Sequence, residues 1–160
     1  MEGSEYLNTV AQLAVAVIGF AAVALAIRGS ENIADFKGLI ESLVSRGIAT
    51  VLFALLPSLL FYLDIPTEIS LPLCSGLMAV YLGMAFVWLY QRFYRSAIHI
   101  ETASGGAAFR LALIGVMIPI QALAAAQIMP FSSLGLYLFG VTWLLVLTGG
   151  PFTTILRRAF

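Results

Sequence analysis

Cys74 and His99 are the residue types from which a nucleophile and its general base are drawn, and each occurs once in the chain. A thiol–imidazole pair works only when the two side chains lie within hydrogen-bond reach. Here they stand 25 positions apart, at the outer end of one apolar segment and just past its inner end. A helix covers about 37 Å over that distance at 1.5 Å per residue, so they form no dyad within one molecule. One cysteine and one histidine do not make a zinc site. The paired glycines of "ASGGAA" at 103–108 lack the lysine and the preceding strand of a phosphate loop, and no G-x-S-x-G elbow is present. The sequence therefore predicts no enzyme, no metal and no cofactor, and a lone cysteine forms no disulfide within one molecule.

The elements that carry these residues explain why chemistry is so thinly represented. Of 160 residues, 61% are hydrophobic and 10% charged, with a formal net charge of zero. A soluble domain is about 45–50% apolar and about 25% charged, and a chain this short cannot hide so much apolar surface from water. The neutral balance supplies no field for nucleic acid. The expected partner is the lipid bilayer, and the expected fold class is all-α, a polytopic transmembrane helix bundle forming a single membrane domain over 1–160. Roughly 20 apolar residues span a bilayer as a helix. Five segments qualify, at about 8–27, 47–63, 71–90, 107–129 and 133–150. They are too long and continuous for barrel strands. "MPFSS" at 129–133 reads as the turn between the last two, and "GGPF" at 149–152 as a break where the fifth helix leaves the membrane, its tail lying along the inner surface.

Charge sets the orientation. Five spans place the N-terminus, the 64–70 loop and the 129–132 turn on one side, and these segments contain no Lys or Arg. All eight basic residues fall on the other side, among them Arg92, Arg95, Arg110, Arg157 and Arg158. Basic residues are retained on the cytoplasmic side, which predicts N-terminus out and C-terminus in. No positive charge precedes the first span, whereas a cleaved signal begins with one, so that span is read as retained.

"LVSRGIATVLFALLPSLLFYL", from Leu43, changes character along one element. Phe36, Leu39, Ile40, Leu43 and Val44 keep to one helical face, with polar residues on the other, as in an interfacial helix over 33–46. After Arg46 every charge disappears, because a charge at mid-bilayer costs about 2.5–3.5 kcal/mol. One continuous helix passing from headgroups into hydrocarbon satisfies both patterns, with Asn32 as its cap.

Surfaces remain as the seat of function. Lipid gives no hydrophobic drive between helices, so small residues mark close contacts. Gln12, Ala16, Gly19, Ala22 and Ala26 line one side of the first span, and Gly76, Ala79 and Gly83 one side of the third. Such seams close the bundle itself or bind a copy of the chain or another membrane protein. Pro57 and Pro119 sit at mid-depth as kinks or hinges, and Gln121 and Thr142 are polar groups at depth. Together they would border the path of a homo-oligomeric pore, the alternative to an accessory or structural subunit. An interhelical hydrogen bond is the simpler role for Gln121. The five arginines named above, with the aromatics of "YQRFYR" at 90–95, suit topology and anchoring or anionic lipid headgroups. No ionisable residue lies deep within a span, which disfavours proton-coupled transport.

The stretches "VIGFAAVALAIRG", "LFALLPSLLFYL" and "GLYLFGVTWLLVL", in their order and spacing, resemble a broad group of small bacterial integral membrane proteins of unassigned function. The resemblance implies a multi-pass protein of the bacterial inner membrane and no particular activity or site residues.

Overall fold

The computed structural model describes residues 3–28, 33–97, 105–128 and 133–159, with the side chains at 25, 27–28, 33–37, 92–97, 105–110, 133 and 157–159 outside the description. Among these residues five helices follow one another: α1 Ser4–Arg28, α2 Ile33–Tyr62, α3 Thr67–Ala97, α4 Gly105–Ala125 and α5 Ser133–Ala159. Four are long and apolar enough to cross a membrane, over Ser4–Ala24, Gly38–Tyr62, Thr67–Gln91 and Leu134–Leu156. In α4 the described apolar stretch is Leu111–Ala125, shorter than those four. Only 33–39% of each long window is buried. The outward faces carry Leu13, Phe20, Leu52, Leu59, Val80 and Val146, all exposed, as a lipid solvent permits and water does not.

Ile33–Tyr62 is one helix, so the amphipathic segment and the apolar span are continuous through Arg46, as their joint pattern required. The proposed cap Asn32 and the 129–132 turn lie outside the described residues. The expected break at "GGPF" is corrected: α5 runs through Gly149, Gly150 and Pro151 to Ala159. Likewise α3 begins at Thr67, a turn before the expected span, and holds Pro72 within it. In both cases a side-chain donor from elsewhere in the chain stands in for the missing proline N–H.

α2 and α4 end alike. Ile65 N–H bonds to Leu60 O and Asp64 N–H to Phe61 O at the end of α2; Ile128 to Leu123 and Gln127 to Ala124 repeat the pattern after α4. This is the Schellman closure, which needs a left-handed residue and usually recruits glycine. Asp64 (φ 58°) and Gln127 (φ 55°) fill those places.

The chain divides into two compact units, Met1–Ile65 with Val141–Phe160, and Pro66–Gly140. In the first, α1 packs on α2. Leu7, Val10, Ala14, Ala21 and Ala24 turn inward at helical spacing, and Ala21, Leu43 and Ile155 form a buried cluster flanked by Val17, Leu39, Ile40 and Phe152. Ile155 and Phe152 thus tie the helix beyond Pro151 into the core. In the second, α3 packs on α4, with Leu71, Cys74, Met78 and Leu82 of α3 and Ile114, Met117, Gln121 and Ala124 of α4 buried.

Candidate functional site

Each proline inside a helix leaves the carbonyl four residues earlier without its usual donor, and an unsatisfied carbonyl in lipid costs several kcal/mol. Pro151 frees Leu147 O, which accepts a hydrogen bond from Arg46 Nη1 of α2 at 3.1 Å. Pro72 frees Glu68 O, which accepts from Gln127 Nε2 at 3.1 Å. Arg46 of α2 thereby completes the hydrogen bonding of α5. Gln127 reaches Glu68 from the left-handed position that closes α4, so one residue closes one helix end and completes another. The signal for these donors was present in the sequence: a proline at position i names the carbonyl at i−4 as an acceptor in need.

Gln121 is fully buried. Its Nε2 donates to Leu136 O of α5 at 3.0 Å, and its Oε1 has no hydrogen-bond partner. Gly140 makes this possible. A Cβ there would overlap the Gln121 amide and come within 2.7 Å of Met78 Sδ. Beside it the Cys74 thiol and the Tyr137 hydroxyl hydrogen-bond each other, so the cysteine is a buried partner in a helix contact. In the other unit, Thr142 shares a hydrogen bond with the Tyr6 hydroxyl at 2.7 Å. Thr50 and Thr148 turn back on the carbonyls of Arg46 and Leu144, each at 2.8 Å. Of the mid-span prolines, Pro57 is buried and Pro119 exposed. Gln121 and Thr142 each hold a helix contact within their own unit.

The glycines divide by use. Gly47 and Gly140 are needed inside the chain: a Cβ on Gly47 would approach Ile18 Cγ1 to 2.7 Å. Gly19 and Gly83 have nothing within 4 Å of where a Cβ would stand, and Gly76 has only Ala125 Cβ at an ordinary 3.7 Å. Gln12, Ala16, Gly19, Ala22 and Ala26 are all exposed on α1, and Gly76, Ala79 and Gly83 are half-buried on α3. The α1 seam therefore faces away from the chain's own core, which that helix meets with Ala14, Ala21 and Ala24 instead. Gly47 and Gly140 were missed, since a glycine inside an apolar run carries no mark of what fills the space beside it.

Two hollows run along the exposed side of α3. One of about 620 Å³ is lined by Glu68, Ile69, Pro72, Leu73, Gly76, Leu77, Val80, Ala125 and Gln127. The other, of about 390 Å³, surrounds Gly83 between Val80 and Gln91. Arg92 and Arg95 lie in α3, Arg110 in α4 and Arg157 and Arg158 in α5, with side chains outside the description; His99 is outside it altogether. Among the described residues no group of three His, Cys, Asp or Glu could hold a metal. Comparison with protein-family models, curated proteins and solved structures returns no match.

Proposed function

We propose that the chain is a non-enzymatic integral membrane protein that works by helix–helix association, as an accessory or structural subunit or as a self-associating bundle. Its setting in this reading is the bacterial inner membrane, crossed five times with the N-terminus outside. The apolar stretch Leu111–Ala125 of α4 rises about 22 Å against a hydrocarbon core of about 30 Å, so the fifth crossing rests on charge: five crossings keep every basic residue on one side.

The observation that carries the association reading is that Gly19, Gly76 and Gly83, like Gly38 and Gly149, leave space that no neighbour in the chain crowds. Inside a helix a glycine costs up to about 1 kcal/mol relative to alanine. At Gly47 and Gly140 the chain's own packing uses the space gained. At Gly19, Gly76 and Gly83 it does not, and these are the small residues that permit another helix to come close. Gln121, central to the pore alternative, donates Nε2 to Leu136 O and keeps its Oε1 buried without a partner.

The test is purification in mild detergent with a mass measurement, then reconstitution for ion flux. Association predicts a particle of defined stoichiometry larger than one chain, without conductance, that is lost on placing isoleucine at Gly19 or Gly83. A particle holding one chain under all conditions contradicts it. Conductance altered by Gln121→Leu would favour a pore.

A further inference from the structure

The exposed side of α3 has a register as well as an idle pair of glycines. Ile69, Leu73, Gly76, Val80, Gly83 and Val87 follow one another at alternating steps of four and three residues. That is the seam of a left-handed helix pair. Gly76 and Gly83 recur at one seam position and Leu73, Val80 and Val87 at the other, so each hollow lies over a glycine and is bordered by a branched side chain. We propose that this face is the contact between two copies of the chain, α3 against α3 in parallel around a two-fold axis along the membrane normal. The proposal rests on the association reading above and names its partner.

Three features select a second copy. The hollows meet at Val80 and extend from Glu68 to Gln91, a rise of about 35 Å. A lipid chain belongs to one leaflet and fills about half of a 30 Å core, whereas a spanning helix fills all of it. Two copies inserted the same way present α3 in parallel and in register. Each seam position then meets its own counterpart, glycine to glycine and valine to valine, as an isologous contact requires. The area also suffices. Ile69, Leu73, Leu77, Val80, Met84 and Val87 are 47–63% exposed. At on the order of 100 Å² apiece they offer roughly 600 Å² per copy, matching the lower bound of about 1,200 Å² in total for a specific interface.

The experiment uses the full-length chain with single cysteines introduced as Val80→Cys, Val87→Cys and, on the exposed face of α2, Leu52→Cys. Each is reconstituted in phosphatidylethanolamine–phosphatidylglycerol vesicles at rising lipid dilution and oxidised with copper phenanthroline; the buried Cys74 serves as the silent background. The expected result is a disulfide-linked dimer from Val80→Cys and Val87→Cys but not from Leu52→Cys. Adding Gly83→Ile should reduce that product at least tenfold with unchanged circular dichroism, since the space beyond Gly83 is open in the single chain. Equal cross-linking at all three positions, or none at positions 80 and 87, overturns the proposal. A monomer that instead forms a stoichiometric complex with a different membrane protein, abolished by Gly83→Ile, refutes self-pairing and leaves the association reading standing. A monomer with no such complex refutes both.

Discussion

Arg46 Nη1 lies 3.1 Å from the carbonyl of Leu147, the one acceptor in its turn of α5 that Pro151 deprives of a backbone donor. The bond explains two things together. It lets α5 continue through "GGPF" to Ala159, and it gives the arginine at the foot of the apolar part of α2 a fixed partner. The Gln127 bond to Glu68 O does the same for Pro72 in α3. In each case a side-chain donor from elsewhere in the chain, Arg46 of α2 or Gln127 of the turn after α4, takes the place of an N–H that proline removed.

This relationship predicts a coupling. Arg46→Met should cost about 1.5–3 kcal/mol, the range for a hydrogen bond with a charged donor. In a Pro151→Ala background the Leu147 carbonyl regains its own N–H, and the same change should cost at least about 1 kcal/mol less. A double-mutant cycle on unfolding in mixed micelles measures the difference. Additive effects would mean that the proline and the arginine act independently.

The division of the glycines predicts opposite signs for one substitution. Gly140→Ala pushes the Gln121 amide off Leu136 O, and Gly47→Ala crowds Ile18; each should destabilise the single chain by about 1–3 kcal/mol. Gly19→Ala and Gly83→Ala meet open space and should stabilise it by about 0.5–1 kcal/mol through helix propensity alone. Unfolding of the four variants under dissociating detergent conditions checks the pattern.

The two helix closures predict a contrast. Asp64 and Gln127 both hold a left-handed conformation that favours glycine. Asp64→Gly should stabilise by up to about 1 kcal/mol. Gln127→Gly gains the same relief and loses the bond to Glu68 O, worth about 0.5–1.5 kcal/mol, so its net effect should be near zero or unfavourable. Thermal unfolding of the pair distinguishes them; equal stabilisation would show the Gln127 bond to contribute nothing.

Much of the fold was readable because lipid imposes it. Long apolar runs fix where helices lie, and the joined patterns of 33–46 and 47–63 foretold one unbroken α2. What failed was local punctuation. "GGPF" looked like an ending because glycine and proline weaken a helix wherever the lost donor is not replaced, and the replacement came from Arg46, about a hundred residues away in sequence. Small-residue seams were legible as residues but not as directions. Spacing groups Ala16 with Gly19 and Ala22, yet only tertiary packing decides that Ala14 and Ala21 turn inward and the seam outward. Gln121 was recognised as needing a partner, whereas the room made for it by Gly140 could not be seen in a string of apolar residues.

Every surface assigned above depends on the chain threading a bilayer an odd number of times, with α4 as the deciding span. Glu2→Cys and Arg158→Cys, made separately in the full-length chain, can be challenged in intact cells with a membrane-impermeant maleimide, the buried Cys74 remaining unlabelled. The prediction is that Glu2→Cys reacts from outside and Arg158→Cys reacts only after the membrane is opened. Reaction of both from the same side would contradict an odd number of crossings and the placement of every surface described above.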